Sequence, residues 1–294
     1  MKIALLASSR VKYLPEELRA LHSALHEGGI EYCVNRPFAE VLRAAAGIDT
    51  PAECIYDLEP PCQGLDMMVC YGGDGTFLEG VRRGHTCSLP ILGINSGRLG
   101  FLSHLPKEEL AYAFARIAAG RYTIEERTTL HVGGDALPAD ARDSFAFNEM
   151  TIHRGMGPMI AVEVFVNGQM VGRYWGDGVI LSTPSGSTAY SLSVGGPIIA
   201  PECRCFVISP IAPHNLSMRP VVIPDSAVVD FRIASRGESV AVTLDNRKFD
   251  ATGVCSLQAQ RGDHNVRLVR LNDVSFYDTL RNKMLWGLDR REEG

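Results

Sequence analysis

The sequence predicts two folded bodies. An α/β domain over residues 1–120 is built on a parallel, Rossmann-like sheet, and a β-rich, sandwich-like domain covers 121–272. A C-terminal helix within 273–294 is expected to pack back on the first domain. Three observations predict this. The chain has 294 residues, more than one comfortable core. Up to residue 120, short apolar runs alternate with helical patterns, the signature of parallel strands with helices on their faces. From Arg121 onward apolar residues recur at every second position, as in half-buried strands.

Taken in order, Lys2 to Ala7 reads as a first strand. Leu14 to Glu27 reads as a helix, with Pro15 near its start and Gly28-Gly29 past its end. Phe38 to Ala46 is expected to be a second helix, and Asp66 to Cys70 and Leu89 to Ile94 are short buried strands. Pro106 to Ala119 carries Leu110, Phe114 and Ile117 at helical spacing. In the β-rich domain the expected strands are Thr128 to Val132, Phe145 to Ile152, Ile160 to Val166, Val228 to Ile233, Val240 to Leu244 and Val266 to Leu271. Asn167-Gly168 signals a hairpin. Ser275 to Leu285 returns to helix, with Phe276, Leu280 and Met284 on one face.

Composition narrows the function classes. Hydrophobic residues make up 46% and charged residues 21%, an ordinary globular balance. A net charge of −5 argues against a nucleic-acid partner, whose phosphates select for cationic surfaces. The N-terminus runs into polar residues too early for a signal sequence, and no apolar run reaches the ~18 residues of a membrane span. A cytoplasmic protein is expected. The eight cysteines form no C-x-x-C pair, so structural thiols in a reducing compartment are expected, not a disulfide framework or a zinc site. His22 and His26 share a helix face but lack a third ligand nearby, and read as a solvated pair.

The chemistry centres on Tyr71-Gly72-Gly73-Asp74-Gly75-Thr76-Phe77-Leu78. A strand feeding a Gly-rich turn at a helix N-terminus offers backbone amides to an anion. A carboxylate among those amides suits a base for an attacking hydroxyl, or a Mg²⁺ ligand. A tight structural turn is the plainer alternative for such residues. A second Gly-punctuated loop, Gly93 to Leu102, follows the next strand at the same sheet edge, where ligands of parallel sheets bind. Gly176 to Pro197 is dense in small hydroxyls and glycines within an apolar segment, a composition suited to reading a sugar or purine by hydrogen bonds. Asp177 offers a carboxylate able to bridge two ribose hydroxyls. Asn148-Glu149, at a strand end, pairs an amide with an acid that together suit an adenosine.

In combination these motifs resemble the NAD kinase family over nearly the whole chain. The matching elements are Gly72 to Thr76, Asn95 to Leu102, Asn148-Glu149, Asp177 to Pro197 and Phe276 to Arg281. The resemblance implies ATP-dependent phosphorylation of the adenosine-ribose 2′-hydroxyl of NAD, making NADP. It implies Asp74 as the base, with Gly72, Gly73, Gly75 and Thr76 bordering the ATP phosphates. Phe77, Asn95, Asn148, Glu149, Ser185, Thr188 and Tyr190 are implied on the NAD side, the last five holding the adenosine half. Asp177, Ala189 and Ser193 are implied at the other half, partly from a neighbouring subunit of a homodimer or homotetramer. Mg²⁺ or another divalent cation is expected to travel mainly with ATP, with no protein metal ligand assigned. The Gly-Gly-Asp-Gly-Thr turn is also found in diacylglycerol-type lipid kinases, and a silent NAD(P) sensor is the third reading. The sequence departs from the family pattern at Trp175, at Met156 to Met159 and at Leu244-Asp245-Asn246-Arg247.

Overall fold

The computed structural model describes residues 1–84, 87–97, 100–103, 105–135, 137, 144–271 and 275–284. The chain divides into two compact units, Met1–Glu126 with Val266–Gly294, and Arg127–Asn265. The first unit opens with β1 (Lys2–Ala7), α1 (Pro15–Glu27), β2 (Glu31–Asn35), α2 (Arg36–Val41), β3 (Ile55–Tyr56), β4 (Met67–Tyr71) and α3 (Asp74–Gly84). It continues with β5 (Ile91–Asn95), β6 (Leu105–Pro106), α4 (Leu110–Ala118) and β7 (Thr123–Arg127). The second unit holds β8 (Leu130–Gly134), β9 (Phe145–Ala146), β10 (Glu149–Arg154), β11 (Ile160–Val166), β12 (Gln169–Gly176), β13 (Gly178–Ser182) and α5 (Tyr190–Ser193). It ends with β14 (Cys205–Ile211), β15 (Val221–Pro224), β16 (Val229–Leu244) and β17 (Arg247–Arg261). The chain then returns to the first unit with β18 (Val266–Arg270) and α6 (Phe276–Met284).

The first sheet has the order β3-β2-β1-β4-β5-β18-β7, with β6 beside β5. β1, β2, β3, β4, β5, β6 and β18 pair in parallel. β4 and β5 are buried at every residue, as strands covered on both faces must be. α1 presents Leu18, Leu21, Ala24 and Leu25 inward, and α4 presents Leu110, Ala113, Phe114 and Ile117. α1 is entered through Leu14, whose backbone amide donates to Glu17 Oε2 at 3.1 Å, half of a capping box. From β1 the order runs one way to β2 and the other way to β4. That reversal opens a crevice at the carboxyl ends of β1 and β4, where ligands of such sheets bind. The Gly72–Gly73 turn leaves β4 at that point.

Three expectations change here. The strand at Val266 to Leu271, expected in the β-rich domain, lies in the first sheet, with Leu268 opposite Ile91. β7 lies beside it, so the passage between units comes at 126/127 and 265/266. Alternation shows which face of a strand is buried but not which sheet receives it. The second helix begins at Arg36 and ends in a π-helical turn, Leu42–Ala46, stopped by Gly47. Finally, Cys62 and Cys87 form a disulfide, their Cα atoms 5.1 Å apart. They fall outside any C-x-x-C pattern and are brought together only because β4 and α3 fold back on each other.

The second unit is a ten-stranded antiparallel sheet, β15-β14-β13-β10-β16-β17-β8-β9, with β12 and β11 joining through β16. β16 and β17 stay paired along their whole length around an irregularity between Ala234 and Ser239, so one continuous sheet encloses one apolar core. Asn167 and Gly168, at φ 51° and 77°, make the expected two-residue hairpin. No described helix is long and apolar enough to cross a membrane.

Candidate active site

In the first unit, β4 ends at Tyr71 and α3 begins at Asp74. The Gly72 amide donates to Ile94 O at 2.8 Å, tying the turn to β5, while Thr76 and Phe77 amides return to Gly73 O at 2.9 and 3.1 Å. Gly73 and Gly75 are exposed, Gly72 is buried, and Thr76 is half-buried with its side chain folded against Gly72. Asp74 turns its carboxylate across to the loop after β5. Oδ2 accepts the Phe101 amide at 3.1 Å, and Oδ1 accepts those of Leu102 and Ser103, both at 3.1 Å. Three charge-assisted bonds hold one carboxylate in one orientation. Gly100 makes that approach possible, since a Cβ there would lie 1.9 Å from Asp74 Oδ1. Asn95 closes the same loop, donating to Ser103 O at 3.3 Å and accepting the Gly97 amide at 2.5 Å.

In the second unit a similar cradle appears, built around a residue that the sequence marked only within a departure from the family pattern. Asp245, at the left-handed corner of the β16–β17 hairpin (φ 54°), accepts the amides of Phe147, Asn148 and Glu149 at 2.9, 2.7 and 3.2 Å. Its own amide donates to Glu149 O at 2.9 Å. The Asn148-Glu149 backbone is thereby fixed on both its donors and an acceptor. Each side chain keeps one oxygen unspent: Asn148 Oδ1 and Glu149 Oε2 are buried with no hydrogen-bond partner among the described residues, while the Glu149 carboxyl also meets the Tyr190 backbone. Burial and the neighbouring Asp245 charge push the Glu149 carboxyl up to about 8, and burial raises Asp245 as well. Two buried acids this close do not both ionise readily. Three amides favour the charged form of Asp245, so the proton belongs on Glu149.

The hydroxyl-rich segment is fastened to this corner. Thr183 donates from its amide to Asn148 O at 2.9 Å and from its hydroxyl to Phe147 O at 2.7 Å. Gly186 packs so closely that a Cβ would sit 2.1 Å from Asn148 O. Ser185 accepts from Arg127 Nη1 at 3.2 Å, and Thr188 Oγ1 donates to Ser185 O at 3.3 Å. Ala189 is half-buried, Tyr190 is 38% exposed, and Ser193 is exposed with its hydroxyl on Tyr190 O at 2.8 Å.

Two family models match the chain, described as the ATP-NAD kinase N-terminal domain over residues 29–122 and the ATP-NAD kinase C-terminal domain over 147–271. The NAD kinase of Flavobacterium psychrophilum is 36% identical over 293 residues, spanning 99% of this chain and 100% of the relative. That of Porphyromonas gingivalis W83 is 39% identical over 288 residues, spanning 97% and 98%. The chain belongs to the NAD kinase family. Its fold is shared with a crystal structure of yeast NADH kinase complexed with NADH, at TM-score 0.84 and 24% identity over 98% of this chain and 88% of that one. A crystal structure of an Archaeoglobus fulgidus NAD kinase in complex with ATP aligns at TM-score 0.73 and 24% identity, covering 98% and 100%.

Within this family member the sequence-derived residues fall into three groups. Gly72, Gly73, Asp74, Gly75, Thr76 and Asn95 gather at one crevice of the first unit. Asn148, Glu149, Ser185, Thr188, Ala189 and Tyr190 gather at one corner of the second, with Ser193 beyond them. Asp177 stands apart. It precedes β13, whereas Ser182, paired with Glu149, ends it, so five extended residues, roughly 16 Å, separate it from that corner. Arg154 Nε meets Asp177 Oδ1 at 2.5 Å and Arg154 Nη1 donates to Gly157 O at 2.6 Å. Trp175 stacks on His214 at 5.5 Å. Phe77, expected beside the dinucleotide, is 1% exposed with its ring against Gly93. It is a core residue under the turn: the first turn of α3 points it inward, onto β5.

Proposed function

We propose that the chain transfers the γ-phosphoryl group of ATP to the 2′-hydroxyl of the adenosine ribose of NAD, yielding NADP, with Asp74 as the base. One observation carries the reading: a carboxylate fixed by three amides in a Gly-rich turn, at the crevice of a parallel sheet. A ribose hydroxyl is a poor nucleophile, and alignment with the γ-phosphorus supplies much of the rate. The transition state of phosphoryl transfer is loose, so the hydroxyl proton leaves late and a weak, well-oriented carboxylate suffices. The exposed Gly73 and Gly75 let phosphate oxygens approach the amides at the α3 N-terminus.

Glu149, protonated at neutral pH, offers a hydroxyl donor, while Asn148 offers an acceptor, a pair suited to the adenosine half. Ser185, Thr188 and Tyr190 border that half. Asp177, Ala189 and Ser193 serve the other half, partly from a second subunit, in keeping with the distance of Asp177 from the Glu149 corner. The divalent cation that phosphoryl transfer calls for would travel mainly with the triphosphate. Mg²⁺ commonly keeps its waters and takes one carboxylate beside phosphate oxygens, and Asp74 is the carboxylate on hand. When bound, the ion offsets phosphate charge.

The test is NADP formation by the wild type and Asp74→Asn, with NAD binding measured alongside. Loss of about 10²–10⁴ in kcat with NAD affinity retained is expected of a general base. A wild type that binds NAD but makes no NADP with any donor would make the protein a sensor. Turnover of diacylglycerol in place of NAD would make it a lipid kinase.

A further inference from the structure

A cation reaches the Asp74 turn from the far end of the sequence. Lys283, in the last turn of α6, holds Nζ 3.8 Å from Asp74 Oδ2 and 4.2 Å from the centroid of the Phe101 ring. Phe101 is the residue whose amide donates to that same Oδ2. Asp74 does not need the lysine to satisfy it, because its two oxygens already accept three amide hydrogens. At 3.8 Å, Nζ is outside hydrogen-bond reach of the carboxylate. An ammonium has three hydrogens to give, and among the described residues Lys283 gives none of them to an acceptor within that reach. Its side chain is 30% exposed, and a four-carbon stem carries the charge freely. The aromatic face parks the ammonium without consuming its hydrogens.

Charge gives this arrangement its meaning. A polyphosphate settling on Gly73 and Gly75 would face the Asp74 carboxylate at close range. A lysine ammonium at the same spot, on a side chain that is 30% exposed, offsets that repulsion. We infer that Lys283 is a phosphate ligand of this site, its Nζ moving from the Phe101 face to the terminal phosphate of a nucleoside triphosphate. The inference rests on the proposed function only in taking a triphosphate as the occupant. In the transfer, the bond from the 2′-oxygen to the γ-phosphorus forms and the bond from that phosphorus to the β,γ-bridging oxygen breaks. The bridging oxygen leaves with the electron pair as part of ADP, and the hydroxyl proton goes to Asp74. Lys283 stays protonated throughout and holds the terminal oxygens.

Mg-ATP and NAD are titrated separately by calorimetry into the wild type, Lys283→Met and Lys283→Arg, followed by steady-state rates. Lys283→Met is expected to weaken Mg-ATP binding by about ten-fold or more and to raise the KM for Mg-ATP in step, as loss of a charged partner does. NAD affinity is expected to stay within about two-fold, as for a site not in contact with the change. Lys283→Arg is expected to recover most of the Mg-ATP affinity, since it keeps the charge. Unchanged Mg-ATP affinity in Lys283→Met overturns the inference. So does a parallel loss of both ligands, which would make Lys283 a prop for α6. If the wild type binds Mg-ATP but forms no NADP, the proposed function fails while the Mg-ATP titration still decides the role of Lys283. A wild type that binds no Mg-ATP overturns both.

Discussion

Two aspartates in this molecule are held in the same way and do different work. Asp74 accepts the amides of Phe101, Leu102 and Ser103, and Asp245 accepts those of Phe147, Asn148 and Glu149. Each cradle is three consecutive N–H groups around one carboxylate. What differs is the surroundings. The Asp74 side chain is 35% exposed with Lys283 beside it. The Asp245 hairpin is open at its tip, but the carboxylate turns inward against a second buried acid. In the open cradle the amides orient an accessible carboxylate, the proposed base, whereas in the closed cradle the carboxylate orients the amides, and through them Asn148 and Glu149. A triple amide cradle is therefore a device for rigidity, and exposure decides which partner is made rigid.

The comparison breaks most sharply at Gly100. A Cβ at that position would enter Asp74 Oδ1, so Gly100→Ala should displace the carboxylate and lower kcat by about 10² or more. Melting temperature and NAD affinity should change little; an active Gly100→Ala would mean the cradle is dispensable. Next in size is Asp245→Ala, which strands three buried amides and should cost about 3 kcal/mol of stability, read from denaturant midpoints. It should also weaken NAD binding more than it lowers kcat at saturating NAD. If kcat falls and affinity holds, the closed cradle serves the chemistry directly.

Smallest is Glu149→Gln, whose signature is its pH dependence. The folded-state value of Glu149 is raised from 4.5 to about 8. Below 4.5 both states carry the proton and the burial costs nothing. Between 4.5 and 8 the unfolded chain gives up a proton that the folded chain retains, so wild-type stability falls as pH rises and levels off above 8. Glu149→Gln removes that slope, and relative to wild type it should gain on the order of 3 kcal/mol between pH 5 and pH 9. Parallel stability curves would move the proton to Asp245. NAD affinity of the wild type should decline through the same range, as the donor on Glu149 is lost.

The open cradle was half legible in the sequence. Asp74 and its glycines are contiguous, and the strand–turn–helix pattern around them is local. The Phe101–Ser103 amides were visible only as a second Gly-punctuated loop, and Lys283 not at all, because nothing in a polar helix says which distant carboxylate it approaches. In the closed cradle, Asn148-Glu149 stood out as an amide beside an acid at a strand end, and by family likeness. Asp245 did not, since a hairpin Asp is an ordinary turn residue and its partners lie 96 to 98 positions away. Asp177 and Ser182 to Ser193 read as a single stretch, but an intervening strand carries them to opposite ends. The burial of Phe77 was not legible, because proximity to a motif says nothing about the face a helix turns inward.

The first unit begins and ends the chain, and the whole of the second unit is spelled out between. During synthesis the Asp74 turn emerges early, with β1 and β4 already able to pair. The lysine beside that turn follows the whole of the second unit. A nascent chain that has not reached α6 thus carries the carboxylate and the exposed Gly73 and Gly75 without the lysine beside them. Under the role proposed for Lys283, a chain that has not yet reached α6 should bind Mg-ATP less well than the finished one.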